Sequence, residues 1–375
     1  MSNMSKMSQQ KNLKPIFIDL FAGAGGLSIG LEQAGFKLVA ATDWDRWSCE
    51  TLRANHKDIV VHGGDITGID LENFAKQIGR KTVDLIVGGP PCQGFSQLGK
   101  RRKDDPRNQL WREYMRFVAF FKPKIFLMEN VPQLLASKEF EEIRGVAENL
   151  GYEVKEKVLY AVDYGVPQKR KRAIILGSRI GTPKHPEPTH VAPNQFNLLN
   201  RHLKPWVTVK EAIGDLPLEP TGNDWHIGRN PTPTSLKRYK SIPPGGNRFN
   251  LPTELAPACW KRKKTGSTDV FGRLEWDAPS LTIRTEFFKP EKGCYLHPQA
   301  HRPITIREAA RLQTFPDTYV FVGSNVQVAK QIGNAVPCRL AYAVGKELLQ
   351  LFYPSANRIQ NETVDRLAPL QSQLA

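Results

Sequence analysis

The run Ile16-Phe17-Ile18-Asp19-Leu20-Phe21-Ala22-Gly23-Ala24-Gly25-Gly26 places a short apolar stretch directly before a glycine-rich turn. Its branched and aromatic residues predict a buried strand, and the apolar pattern that continues to Gly35 predicts an amphipathic helix. A glycine turn between a strand and a helix lets backbone amides approach a ligand closely. The turn is weak evidence alone, because Gly23-x-Gly25-x-x-Ser28 lacks the third glycine of the dinucleotide fingerprint.

The ends of two further strands add evidence for a ligand site beside this glycine turn. A strand over Phe36–Thr42 ends at Asp43-Trp44, and an acidic residue about 24 positions after the first strand's own aspartate is where nucleoside-binding sheets hold a ribose. Trp44 either stacks on an adenine or is a core aromatic at the start of a helix. A third strand unit ends in Gly64-Asp65-Ile66, where an acidic side chain and the apolar one after it can contact the edge and the face of an adenine. These strand ends carry no phosphate-binding lysine, so they favour S-adenosylmethionine over ATP.

A second polar segment, Gly88-Gly89-Pro90-Pro91-Cys92-Gln93-Gly94-Phe95-Ser96, follows the apolar run Val83–Val87. The two prolines remove backbone donors, so this segment cannot continue a sheet ladder. A free cysteine is commonly a small buried hydrophobic residue. Cys92, however, lies in a polar loop at the end of a strand, where open α/β sheets bind their ligands, and we interpret it as a nucleophile.

Glu129 ends another buried strand, Lys124–Met128, and precedes a predicted helix from Pro132 to Leu150. It is therefore either a second reactive side chain at the same sheet edge or a carboxylate that caps the helix.

The segment Gln168-Lys169-Arg170-Lys171-Arg172 lies between two strands that we expect to pair, Tyr152–Tyr160 and Ala173–Ser178. Strand alternation puts the glutamine and both arginines on one face.

The composition of the chain indicates a polyanionic partner. Its 375 residues include 53 Lys plus Arg against 37 Asp plus Glu, which gives a formal charge of +16 and a pI near 9.6. We find no apolar run of 18 residues and no signal-like N-terminus, so we expect a cytoplasmic protein without a membrane partner. The five cysteines are scattered and form no Cys-x-x-Cys pair, which argues for reduced thiols and against a metal site.

Several of these segments together resemble the ordered motif set of the DNA (cytosine-5) methyltransferases, and the resemblance spans residues 16 to about 350. The motifs, in order, are Asp19-Leu20-Phe21-Ala22-Gly23 with Gly25-Gly26, Gly89 to Ser96, Glu129-Asn130-Val131, Gln168-x-Arg170-x-Arg172, and Gln331-Ile332-Gly333-Asn334-Ala335-Val336-Pro337. Asp43 stands where many members have glutamate, which keeps the carboxylate.

The resemblance implies a fold, a reaction and a set of site residues. The fold is an α/β, doubly wound, Rossmann-like methyltransferase sheet with a second, smaller, irregular target-recognition domain. Cys92 is implied as the nucleophile, Glu129 as the contact to N3 and the exocyclic amine of cytosine, and Arg172 as the contact to O2, with Arg170 as a nearby support. Residues implied around S-adenosylmethionine are Phe21, Gly23, Gly25, Gly26, Asp43, Trp44, Asp65, Ile66, Pro91, Leu110, Asn334 and Ala335.

The composition changes between residues 180 and 280, where 14 of the 28 prolines fall and periodicity is poor. We expect the target-recognition domain there, with phosphate contacts from the basic run at 261–264. The predicted DNA-binding residues are Ser96, Arg101, Arg102, Arg229, Arg248, Lys261, Arg262, Lys263 and Lys264. The predicted divisions of the chain are a flexible arm (1–14), a catalytic domain (15–180), the recognition domain (181–275), a return segment with a C-terminal helix (276–355) and a flexible tail (356–375).

The expected function is methylation of carbon 5 of a flipped-out cytosine in a specific duplex DNA sequence, within a prokaryotic restriction-modification system. We expect a monomer on DNA, associated with the nucleoid, and a cognate endonuclease that acts separately. Two alternatives stay open: an RNA cytosine-5 methyltransferase, and a sequence-specific DNA-binding protein without catalysis. The size of the recognition region argues against the first, and the intact Cys92, Glu129 and Arg172 argue against the second.

Overall fold

The computed structural model describes residues 14–91, 109–262 and 265–354. Within these ranges a seven-stranded sheet forms the centre of the protein, with β1 to β5 parallel and the last two strands antiparallel to their neighbours. In spatial order the strands are Val60–Gly63 (β3), Lys37–Asp43 (β2), Ile16–Leu20 (β1), Leu85–Gly88 (β4), Ile125–Asn130 (β5), Lys171–Ser178 (β8) and Glu153–Tyr160 (β6).

Helices and short strands complete the described parts. The helices are Gly26–Ala34 (α1), Arg46–Asn55 (α2), Leu71–Gln77 (α3), Leu110–Phe121 (α4), Lys138–Asn149 (α5), Val209–Ile213 (α6), Pro233–Lys240 (α7), Ala258–Lys261 (α8), Ile306–Leu312 (α9), Asn325–Asn334 (α10) and Cys338–Phe352 (α11). The short strands are Gln168–Lys169 (β7), His190–Val191 (β9), Lys204–Pro205 (β10), Gly272–Arg273 (β11), Ser280–Leu281 (β12) and Cys294–Leu296 (β13). No described helix is long and apolar enough to cross a membrane.

Both faces of the sheet are buried, which explains the continuous apolar runs in the sequence. Along β1, Ile18 belongs to a core cluster on one face, and its neighbour Phe17 belongs to a cluster on the other. The chain order reverses between β1 and β4, so a crevice opens at the carboxyl ends of these strands. The prediction of a doubly wound α/β sheet is therefore confirmed.

One predicted helix boundary is wrong. The single helix expected from Pro132 to Leu150 is instead a 3₁₀ turn over Pro132–Ala136 followed by α5, because the extended Ser137 caps α5 by accepting a hydrogen bond from the amide of Phe140. The last helix, α11, begins at Cys338, directly after Pro337.

Helices α1 and α11 pack with their backbones in close approach. A Cβ atom at Gly30 would lie 2.3 Å from the carbonyl oxygen of Cys338 and 2.5 Å from the Cβ of Ala341. We expect Gly30→Ala to lower the free energy of unfolding by about 1–3 kcal/mol, because it overpacks this contact. Urea denaturation measures the change. Gly145→Ala is the matched control: Gly145 lies within α5, a Cβ there meets nothing within 4 Å, and no loss of stability is expected.

A small core of its own holds part of the proline-rich region together. Its buried residues are Tyr239, Ile242, Leu251, Phe271 and Leu296. Beside them, the buried guanidinium of Arg273 donates to four backbone carbonyls, those of Tyr239, Ile242, His297 and Ala300, at distances from 2.5 to 2.9 Å. Arg273 therefore fixes the end of α7 against the segment after β13. No local sequence pattern indicates this role, because the four carbonyls lie 24 to 34 positions away from Arg273.

Candidate active site

One cavity of about 790 Å³ opens at the carboxyl ends of the parallel strands. This volume is in the range of small-molecule sites. Residues from the ends of β1, β2, β4 and β5, from the start of β8 and from the turn after α10 line it together. The lining residues are Phe21, Ala22, Gly23, Gly26, Leu27, Thr42, Asp43, Trp44, Asp45, Ser48, Gly64, Asp65, Ile66, Gly89, Pro90, Pro91, Leu110, Glu129, Asn130, Val131, Arg172, Lys330, Gln331, Asn334, Ala335 and Val336.

The carboxylate of Asp43 organises one half of the cavity. Its Oδ2 accepts a hydrogen bond from the amide of Gly23 at 2.7 Å, and its Oδ1 accepts one from the amide of Asp45 at 2.8 Å. Burial raises the pKa of this carboxyl, while the two amides lower it. Each oxygen keeps a second lone pair, so Asp43 can still accept two hydroxyl groups of a ligand.

An aromatic and an apolar surface flank Asp43. Trp44 lines the cavity with 75% of its surface exposed, which excludes the alternative that it is a core aromatic. Ile66 is buried at the start of a 3₁₀ turn, and Asp65 caps that turn by accepting from the amide of Thr67 at 3.0 Å. That hydrogen bond lowers the pKa of Asp65. This half of the cavity therefore offers an aromatic face, an aliphatic contact and two carboxylates.

The glycine turn packs directly on the turn after α10. A Cβ atom at Gly26 would lie 2.2 Å from the carbonyl oxygen of Val336, so only glycine fits there. Gly25 has φ 79° and borders Tyr319 and Leu52; it is not among the residues that line the cavity. The two turns together close the wall between Asp43 and the other half of the site.

Glu129 and Arg172 form an ion pair in that other half. The Nε of Arg172 lies 2.6 Å from Oε1 of Glu129, and both side chains are largely buried. Glu129 caps no helix: the next turn begins after Val131 and has no side-chain cap. The antiparallel pairing of β5 with β8, which aligns Asn130 with Ala173, brings these distant residues together.

The segment before Cys92 is held against this ion pair. A Cβ atom at Gly89 would lie 2.7 Å from Oε2 of Glu129, so the glycine makes room for the carboxylate. The side-chain amide of Asn130 donates to the carbonyl of Pro90 at 2.8 Å. Asn130 therefore positions the Gly89–Pro91 segment, from which the chain continues to Cys92.

Residues 16–350 match the family model of C-5 cytosine-specific DNA methylases. The chain belongs to this family. Type II methyltransferase M1.HphI of Haemophilus parahaemolyticus is 37% identical over 346 residues, which cover 89% of this chain and 87% of that protein. Type II methyltransferase M.Eco47II of Escherichia coli is 37% identical over 343 residues, covering 89% of this chain and 78% of that protein. The protein is accordingly a DNA (cytosine-5) methyltransferase.

Solved structures agree with this assignment. A DNA modification methyltransferase encoded within an Escherichia coli prophage shares 27% identity and superposes with a TM-score of 0.67, covering 90% of this chain and 99% of that chain. The Dnmt2 methyltransferase of S. pombe, at 19% identity and a TM-score of 0.61, covers 92% of this chain and all of its own and shows the fold alone. The fold of this methyltransferase is thus that of S-adenosylmethionine-dependent enzymes.

Arg170 of the methyltransferase lies behind the cavity wall rather than in it. It is buried and donates to the carbonyls of Ile283 at 2.9 Å and Gly333 at 3.1 Å. Burial lowers its pKa. Gln168 extends the connection through Gln313, whose amide donates to the carbonyl of Ile332 at 2.7 Å. These residues tie the strand that carries Arg172 to the turn at Asn334-Ala335, which fits the predicted supporting role of Arg170.

The predicted DNA-binding residues are spread over several places. Arg229 donates to the carbonyl of Phe288 at 3.2 Å and lies over its ring, whereas Arg248 lies over Phe249 and donates to the carbonyl of Thr265 at 3.1 Å. Lys261 and Arg262, at the end of α8, are exposed. The remaining predicted residues lie outside the described ranges; they are Cys92, Ser96, Arg101, Arg102, Lys263 and Lys264.

The sequence-based prediction missed two charged residues of the cavity, Asp45 and Lys330. Lys330 reaches the site from α10, and its Nζ lies 3.9 Å from Oδ2 of Asp45. The expected nucleoside pocket therefore does contain a lysine near its aspartates, although this lysine comes from the opposite wall. Its position directly before the Gln331 motif was the available signal.

Proposed function

We propose that this methyltransferase transfers a methyl group from S-adenosylmethionine to carbon 5 of a flipped-out cytosine in duplex DNA, through a covalent bond to Cys92. The observation that carries the proposal is that one cavity contains both the Glu129–Arg172 ion pair and, in the half that we assign to the nucleoside, Asp43 and Trp44. The methyl donor and the acceptor base must lie side by side for transfer, and a cavity of about 790 Å³ has room for both.

The residues of the nucleoside half fit S-adenosylmethionine. The free lone pairs of Asp43 suit the two ribose hydroxyls, and Trp44, Ile66 and Leu110 offer apolar faces to the adenine. The glycine turn and the Asn334-Ala335 turn leave backbone groups for the amino-acid end. When bound there, S-adenosylmethionine supplies an electrophilic methyl group on a sulfonium.

The other half of the cavity suits activation of a cytosine. Carbon 5 is a poor nucleophile until the thiolate of Cys92 adds to carbon 6 and makes the ring enamine-like. Negative charge then accumulates on the ring, where a proton from Glu129 at N3 and the guanidinium of Arg172 at O2 stabilise it. After methylation, the carbon 5 proton leaves as a base takes it, and elimination across the 5–6 bond releases Cys92 as the thiolate.

Duplex DNA is the proposed substrate, and the target base must leave the stack. Neither face of cytosine is accessible to Cys92 inside a helix, so flipping is required, at a cost of a few kcal/mol. The net charge of +16 offsets this cost through phosphate contacts. Base reading is assigned to residues 181–275. Because the relatives are named type II methyltransferases, we also propose a role beside a separate restriction endonuclease.

Expression in a bacterial host that lacks cytosine methylation tests the function. Bisulfite sequencing of host DNA should show 5-methylcytosine at one short recurring sequence, and a strain expressing Cys92→Ala should show none. The same treatment of host RNA should show no new methylation. Methylation of RNA with unmodified DNA would establish the RNA alternative, and unmodified DNA and RNA from a folded protein would overturn the enzymatic proposal.

Cofactor affinity provides a prediction for Trp44. Because the indole is 75% exposed, its removal leaves the core intact, and Trp44→Ala should weaken S-adenosylmethionine binding by about 1–3 kcal/mol in calorimetry. Trp44→Phe keeps an aromatic face and should recover most of the affinity. Binding of DNA without cofactor should not change in either variant. Unaltered cofactor affinity in Trp44→Ala would remove the indole from the site.

A further inference from the structure

An exposed apolar tip projects from residues 192–203, which we call the leucine finger. The finger connects the two short parallel strands β9 and β10, in which His190 aligns with Lys204. At its tip Leu198 is 84% exposed and Leu199 is 91% exposed, and Phe196 beside them is 49% exposed. These are the most exposed leucines among the described residues. Their exposure to water is unfavourable in free energy, and a partner that covers them would remove this penalty.

The tip is held in shape by its own hydrogen bonds. Asn197 accepts from the amide of Leu199 at 2.9 Å, and its own amide donates to Oδ1 of Asn200 at 2.8 Å. The side chain of Asn200 also donates to the carbonyl of Gln195 at 2.9 Å. The two leucines are therefore presented on a pre-organised turn, which reduces the entropy lost when a partner covers them.

The base of the finger packs against the edge of the sheet where β6 ends and β8 begins. Lys171 precedes Arg172 in β8 and lies on the opposite face of that strand, with its Nζ 5.2 Å from the ring centroid of Tyr160. The ring of Tyr160 packs edge-to-face on Trp206, with centroids 5.8 Å apart. Trp206 donates through Nε1 to Asp163 at 3.0 Å and through its backbone amide to the carbonyl of Val191 at 3.0 Å, at the base of the finger.

The charge of this segment identifies the class of partner. Residues 188–210 contain no aspartate or glutamate, and they carry Arg201, Lys204 and Lys210. A polyanion complements such a surface, whereas a second copy of a chain with net charge +16 would be repelled. Proteins can bind and bend duplex DNA by placing apolar side chains, flanked by basic residues, against sugars or between base steps.

We propose that the leucine finger binds the DNA arm beside the target cytosine, with Leu198 and Leu199 packed on sugar and base surface and Arg201 and Lys204 on phosphates. This inference rests on the proposed function, because the duplex reaches the finger only if its cytosine occupies the site at Glu129 and Arg172. The contact adds affinity for duplex DNA and holds the arm in place while the base is out of the stack. It takes no part in the chemistry.

The double variant Leu198→Ser with Leu199→Ser tests the contact on the full chain. Its affinity for a 30-base-pair duplex centred on the sequence found by bisulfite sequencing should fall about tenfold, as expected for the loss of two partly buried leucines. Its kcat at saturating DNA should stay within about twofold of the parent, since no cavity residue changes. Val146→Ser is the control, because Val146 is an exposed apolar residue on α5, and its affinity should match the parent.

A direct measurement accompanies the affinity. A photoreactive p-benzoylphenylalanine at position 199 should crosslink on irradiation to the duplex, at nucleotides beside the target cytosine. Equal affinity of the double variant and the parent together with no crosslink to DNA would overturn the proposal, as would crosslinks between two protein chains. Failure of the proposed function is seen separately, as the absence of 5-methylcytosine in DNA modified by the parent.

Discussion

Cys92→Ala should abolish both turnover and covalent capture of DNA. In a duplex that carries 5-fluorocytosine at the target, the parent enzyme should form a complex that resists denaturation and requires cofactor, because fluorine cannot leave carbon 5 as a proton does. The thiolate makes carbon 5 reactive, so its removal leaves no comparable route, and a loss of at least about 10⁴-fold in kcat is expected. Denaturing gels and methyl incorporation measure the two effects.

Cys259→Ala is the matched control for this experiment. Cys259 is also a free thiol; it is exposed, lies within the residues proposed for base reading, and is not among the residues that line the cavity. This variant should be trapped and should turn over like the parent. Capture of 5-fluorocytosine DNA that persists in Cys92→Ala, or that disappears in Cys259→Ala, would show that the nucleophile had been assigned to the wrong residue.

The strand ends were the most predictable part of the molecule. The apolar runs that end at Asp43 and Glu129 form strands whose residues are mostly buried, whereas β3, before Gly64, is a partly exposed edge strand. The carboxyl ends of these parallel strands must share one edge of the sheet. The residues predicted for the site from the sequence and its family resemblance therefore make up half of the cavity lining. It also left two interpretations of Trp44, because exposure depends on what packs over a residue, and the sequence pattern near Trp44 does not contain that information.

The contacts that were missed link segments far apart in the chain. The α5 boundary at Ser137 depends on one capping hydrogen bond inside a continuous apolar pattern. Lys330 faces Asp45 only because α10, almost 300 positions further along the chain, packs back against the end of the sheet. Arg170 was predicted to be a support near Arg172, and its hydrogen-bond partners at Ile283 and Gly333 lie 113 and 163 positions away. The local periodicity of a sequence cannot predict contacts between residues so far apart in the chain.

Glu129→Gln should lower kcat about 10²- to 10⁴-fold with little change in cofactor affinity. Glutamine has the same shape and can still accept a hydrogen bond from Arg172, but it cannot deliver a proton to N3 when charge develops on the ring. The nucleoside half at Asp43 and Trp44 is untouched, so calorimetric binding of S-adenosylmethionine should match the parent. Rapid-quench methylation at saturating DNA isolates the chemical step from base flipping and product release.

Protein stability decides how this loss of rate is interpreted. Removing one partner of a largely buried ion pair can cost about 3–5 kcal/mol, so a fall in activity could reflect unfolding unless thermal denaturation shows otherwise. Glu142→Gln removes the exposed pair with Arg112, which is worth about 0–1 kcal/mol, and should leave both Tm and kcat unchanged. If Glu129→Gln stays folded, binds cofactor and retains parental kcat, protonation of N3 by Glu129 is excluded, and the pair with Arg172 serves only to hold β5 against β8.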